Sequence, residues 1–129
     1  MDILSNIAAL HLEHNKWRED MRFYHRLIKF YRKHLAELAT DKIEEKEFMK
    51  KLEVIQNELL IEEGEIRKLH HIIDGDEKKL STITADSDME DKIMFFNAHL
   101  RLNEQMEQFY CLFNQLKKKY LNFCIKWQR

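Results

Sequence analysis

Proline is absent from the 129 residues of this chain, and glycine occurs only twice. Both residues interrupt helices: proline has no amide hydrogen and clashes with the preceding turn, and glycine loses the most backbone entropy on ordering. Because so few positions force a helix to end, the helices should be long and few. The composition, 44% hydrophobic and 35% charged, suits helices that bury one stripe and leave the opposite side in water. The chain is therefore predicted to be all-α.

Apolar residues recur alternately three and four positions apart in three stretches of the sequence. This spacing places them in one line, here called a seam, along each helix. Short connections between such helices make neighbours antiparallel. We therefore predict a single domain over residues 1–129, an antiparallel bundle of three long helices in up-down-up order. The predicted helices cover about residues 3–39, 41–73 and 88–127.

The predicted boundaries of the second helix depend on local signals. Asp41, followed three residues later by Glu44, has the form of a capping box and predicts the start. Asp74 and Gly75 predict the stop, because glycine readily adopts the left-handed conformation that ends helices. The polar, aperiodic stretch 74–87 is accordingly predicted to be a loop.

The chain has more apolar residues than a three-helix core needs. Phe23, Leu27 and Phe30 form a second stripe beside the first seam, and the third helix is apolar on nearly all sides around Tyr110 and Leu112. Apolar surfaces of this extent usually pack against something. We expect the partner to be a second copy of the chain, so that dimerisation completes the bundle. The alternative is a wider intrachain face that the predicted loop covers.

Three seam positions carry side chains that are unusual in a core: His14, Glu62 and His99. If the predicted connections are placed at their midpoints, Glu62 is level with His99, and His14 lies about one helical turn away. His11 and His70 fall in the same half of the bundle. Neutral imidazoles and a carboxylate that project from facing helices can form a transition-metal centre. These five residues are therefore candidate ligands, and iron or zinc is the metal that such a set would suit.

The same polar residues have a structural interpretation. A buried His, Glu, His network can fix the register of helices whose seams are otherwise similar, and it would need no cofactor. The di-iron carboxylate bundles carry Glu-x-x-His, and no glutamate of this chain has a histidine three positions later. Absence of a cofactor is therefore the first expectation, and the metal centre is the alternative.

The charge pattern argues against nucleic acid and membranes as partners. The formal net charge is −1, and the basic stripe Arg22, Arg26, Lys29 and Lys33 faces an acidic second helix. No uncharged apolar run approaches the roughly 20 residues that span a bilayer. The first residues, MDILSNIAAL, carry an acid where a signal peptide would carry bases. We therefore expect a cytoplasmic protein.

No arrangement of residues predicts an enzyme. The serines lie near the start of the chain or in the predicted loop, and neither Cys111 nor Cys124 has a histidine at local helical spacing. The acid-rich segment after Asp74 has Lys79 where an EF-hand requires glycine. The sequence thus favours a non-enzymatic helical interaction or scaffold protein, present as a homodimer. The alternative function is a metal-binding bundle with a sensory or redox role.

Overall fold

A computed structural model describes residues 3–127 of the chain. This part of the chain forms three helices and contains no strand: α1 (Ile3–Thr40), α2 (Lys46–Leu80) and α3 (Met89–Trp127). The all-α prediction is confirmed, and the bounds of α1 and α3 agree with the predicted segments to within one residue. None of these helices has an apolar stretch long enough to cross a membrane.

The predicted start of α2 is wrong. The helix begins at Lys46, after Glu45 in an extended conformation, and no side chain caps its first turn. Asp41 and Glu44 lie instead in a short turn, in which the amide of Lys42 donates a hydrogen bond to the carbonyl of Ala39. The capping box was a local signal only, and the chain needs these residues to reverse direction between two long helices.

The predicted end of α2 is also wrong, because the helix continues through Asp74 and Gly75 to Leu80. Gly75 does not adopt a positive φ. A glycine inside a helix costs about 1 kcal/mol relative to alanine. Here the cost is offset because Arg18 of α1 donates a hydrogen bond to Asp74, and Leu80 is fully buried. The loop is therefore shorter than the predicted 74–87.

The core is one cluster between the three helices. α2 packs against α1 and α3, and α1 also meets α3 directly, since Tyr31 stacks on Tyr120. From His14–Asp76 to Arg32–Glu63, residue numbers run in opposite directions along α1 and α2. The same is true of α2 and α3, from Asp76–His99 to Glu58–Lys119. Glu62 is the one half-buried member of the α2 seam. The other seam residues of α2 are all buried: Phe48, Leu52, Ile55, Leu59, Ile66, Leu69 and Ile73.

Candidate metal centre

Each helix contributes one buried polar side chain to a cluster near one end of the bundle. His14 comes from α1, Asp76 from α2 and His99 from α3, with exposed fractions of 0%, 6% and 5%. The ring of Trp17 stacks on His99 at a centroid distance of 5.3 Å. Buried polar groups among aromatic side chains are costly unless they are paired, so the cluster must satisfy its own hydrogen-bonding atoms.

The inner atoms of the cluster form a small triangle. Nε2 of His14 lies 2.7 Å from Oδ2 of Asp76, and Nδ1 of His99 lies 2.9 Å from the same oxygen. The two nitrogens are 3.3 Å apart. Ligands about 2.1 Å from a metal ion are separated by about 3 Å in an octahedral shell and by about 3.4 Å in a tetrahedral one. The triangle therefore has the dimensions of one face of a metal coordination shell.

The outer nitrogens of both histidines are held by carboxylates. Nδ1 of His14 donates a hydrogen bond to Glu77 at 3.0 Å, and Nε2 of His99 donates one to Glu13 at 2.6 Å. An ionised carboxylate can only accept hydrogen bonds, so the outer nitrogens carry the protons. The inner nitrogens face the carboxylate of Asp76, and loss of an inner proton would leave that nitrogen with a lone pair for a metal ion. This is the arrangement by which a carboxylate orients a metal-binding histidine.

Without a metal ion, the hydrogen bonds of this cluster can all be made only if two positive charges lie side by side. Each of the two histidines contacts a carboxylate through both ring nitrogens, so full pairing requires both rings to be imidazolium ions. Their inner nitrogens would then be like-charged neighbours 3.3 Å apart. A divalent cation bound by the three inner atoms would replace both inner protons. The donor set therefore fits a metal ion.

The charges of the cluster shift two pKa values. Burial by itself would raise the pKa of Asp76, but hydrogen bonds from His14 and His99 outweigh it and lower the pKa to about 2. Burial would lower the pKa of His99, but hydrogen bonds to Asp76 and Glu13 outweigh it and raise the pKa. Asp76 is consequently a carboxylate at neutral pH, as a metal ligand must be.

The predicted ligand residues are distributed unevenly around this cluster. His14 and His99 belong to it, and His11, whose side chain is 40% exposed, reaches it through Glu77. His70 lies 3.8 Å from Asp74 and is outside the group of converging ligand atoms. Glu62 is outside this group as well. Burial, followed by the charges of Glu65 and Glu58, raises the pKa of Glu62, and its Oε2 has no hydrogen-bond partner among the described residues.

Asp76 is the ligand that the sequence interpretation missed. With α2 predicted to end at residue 73, the arithmetic of helix heights placed Glu62 level with His99. Because α2 continues to Leu80, the pairing shifts along the helix, and Asp76 lies opposite His99 instead. A signal was present: Asp76 and Leu80 continue the alternating spacing of Leu69 and Ile73. No family model, curated protein or solved structure matches the chain, so function is inferred from the geometry of the site.

Proposed function

We propose that the protein binds one transition-metal ion at His14, Asp76 and His99. The observation that carries the proposal is the orientation of both histidines, whose outer nitrogens are occupied by Glu77 and Glu13 while their inner nitrogens converge on Asp76. Two imidazoles and one carboxylate suit Zn²⁺ and Fe²⁺, whereas Mg²⁺ and Ca²⁺ prefer oxygen ligands throughout. Three protein ligands leave at least one coordination position open.

A sensory role fits this site best. Each ligand lies on a different helix, so an ion would join α1, α2 and α3 at one end of the bundle. Residue numbers run in opposite directions along neighbouring helices, which supports the up-down-up order. In that order, His14, Asp76 and His99 lie at the same end of the bundle. Binding would therefore stabilise the packing of the three helices at that end, and loss of the ion would loosen it.

Metal content and calorimetry test the proposal. Protein purified without an affinity tag and stripped with a chelator is titrated with Zn²⁺, and anaerobically with Fe²⁺. We expect one ion per chain for the wild type and for His71→Asn, which changes an exposed histidine. Asp76→Asn should abolish stoichiometric binding, because the amide removes the ligand charge. A wild type that takes up neither ion would leave the cluster as a structural network and would refute the proposal.

A second candidate function is that of a homodimeric interaction or scaffold protein. Phe23 and Phe30 lie seven residues apart on the same face of α1, and their side chains are 51% and 62% exposed. Leu112 of α3 is 45% exposed. Leu27 and Tyr110 are partly buried against the core of the same chain, so they would contribute less to an interface. Sedimentation equilibrium tests this candidate: a dimer that Phe30→Glu dissociates supports it, and a monomer at micromolar concentration contradicts it.

A further inference from the structure

A groove runs between the first half of α2 and the last turns of α3, at the end of the bundle opposite to the candidate metal centre. The groove is open to solvent and has a volume of about 650 Å³, within the range of small-molecule sites. Its apolar wall consists of Val54 and Ile55 on one side and Phe123 and Trp127 on the other. The side chain of Val54 is 53% exposed. The groove therefore leaves apolar surface uncovered.

The rim of the groove carries an excess of positive charge. Lys51 and Lys126 share one partner, Glu47, at 3.1 and 3.8 Å, and Lys119 pairs with Glu58 at 3.1 Å. Lys50 adds a fourth cation against these two carboxylates. Exposed ion pairs contribute only about 0–1 kcal/mol each, so an incoming anion can replace a glutamate at little cost. The rim thus favours a negatively charged ligand.

Trp127, which lines the groove, carries a polar atom that the described residues leave unpaired. Its ring packs edge-on against Phe48 at a centroid distance of 5.4 Å, and Nζ of Lys126 lies 5.3 Å from the ring centre. The indole nitrogen is buried and has no acceptor among the described residues. A buried donor without an acceptor is unfavourable by about 1–3 kcal/mol. An acceptor oxygen brought by a ligand would remove this cost.

We propose that the groove binds an anionic amphiphile, a fatty carboxylate whose chain lies along Val54 and Phe123 and whose head group lies among the lysines. The lining residues span 47–58 on α2 and 119–127 on α3, about 12 to 16 Å of helix rise. This length suits one extended alkyl chain and is short for a partner helix. The proposal does not depend on the candidate metal centre.

Calorimetric titration of the full chain with dodecanoate below its micellar concentration tests the proposal. We expect saturation at one ligand per chain. Dodecyltrimethylammonium, which has the same chain and the opposite charge, should bind at least about tenfold more weakly, because the lysines repel it. Absence of saturation, several equivalents per chain, or equal affinity for the two amphiphiles would overturn the proposal.

Two matched variants locate the binding. Val54→Glu places a carboxylate in the groove and should weaken dodecanoate binding by at least about tenfold. Ile61→Glu introduces the same charge on α2 at a position that is 67% exposed and outside the groove, so it should leave the affinity unchanged. Circular dichroism checks that both variants keep the fold. Equal losses in the two variants, or no loss in Val54→Glu, would place the ligand elsewhere and contradict the proposal.

Discussion

The two ends of the bundle bury different chemistry. At one end His14, Asp76 and His99 meet in a charged cluster. At the other, Tyr31 stacks on Tyr120 at a centroid distance of 3.9 Å, and Phe48 packs against Phe123. Apolar packing depends little on pH or on ions, whereas buried charges depend on both. The aromatic end should therefore contribute the same stability at any pH or ion concentration, whereas the stability of the charged end should change with both.

The largest effect should follow from removing the shared carboxylate. In metal-free protein at neutral pH, Asp76→Ala leaves two buried imidazoles without their common acceptor and should lower the free energy of unfolding by about 3–5 kcal/mol. Chemical denaturation followed by circular dichroism measures this. A loss below about 1 kcal/mol would mean that the polar end is not held together by its charges.

The response to pH should separate the two ends. The lowered pKa of Asp76 stabilises metal-free protein fully above the unfolded value of 3.8 and loses this effect as pH falls to about 2, a change of about 2 kcal/mol. The raised pKa of His99 stabilises it fully below 6.5 and loses this effect as pH rises through the raised value. Stability measured against pH should therefore be greatest between about pH 4 and 6.5.

A matched variant at the apolar end provides the control for the pH profile. Leu52→Ala should cost about 2–5 kcal/mol, and it should lower the whole profile without changing its shape. Asp76→Asn should flatten the acid side of the profile. If both variants change the profile in the same way, the two ends of the bundle do not differ in their response to pH.

The carboxylates that hold the outer nitrogens should tune metal affinity. Glu77→Gln can still accept a hydrogen bond from His14 but removes the charge, and it should weaken Zn²⁺ binding by about 10- to 100-fold. Glu13→Gln should have a smaller effect because the side chain of Glu13 is 41% exposed, compared with 18% for Glu77. Competition with a chelating dye measures both affinities. Unchanged affinity in both variants would remove these residues from the site.

The smallest effect concerns Glu62, a half-buried carboxylate outside the cluster. Burial raises the pKa of Glu62, so its charged form destabilises the native state above the unfolded pKa of 4.5. Glu62→Gln should increase the free energy of unfolding at neutral pH by less than about 1 kcal/mol. Glu53→Gln, at an exposed position of the same helix, should leave stability unchanged. A loss of stability in Glu62→Gln would point to an interaction of the charged carboxylate.

Much of the fold could be predicted from the sequence, because seam spacing alone determines which side of a long helix is buried. The core of α2 and the bounds of α1 and α3 follow from that spacing. The end of α2 could not be predicted in this way. Gly75 is a local stop signal, and it is overridden by contacts of Asp74 and Asp76 with residues of α1 that are distant in sequence.

The candidate site, too, could be predicted only where its residues lie in a seam. His14 and His99 were identifiable because a histidine in an apolar seam is conspicuous. Asp76 was hidden inside a predicted loop, and the carboxylates Glu13 and Glu77 lie beside the seams and give no periodic signal. Their role depends on distances between helices, which a single sequence does not contain. The predicted interface at Phe23, Leu27, Phe30, Tyr110 and Leu112 stays a prediction.

X-ray absorption at the zinc edge tests the central claim most directly, since it reports the ligands of the ion itself. Protein with one equivalent of Zn²⁺ should show nitrogen and oxygen neighbours at about 2.0–2.2 Å, with outer-shell scattering from two imidazoles. His99→Asn should lose one imidazole from this pattern, and His71→Asn should not. A zinc spectrum without imidazole scattering, or one that His99→Asn leaves unchanged, would contradict a metal centre built from His14, Asp76 and His99.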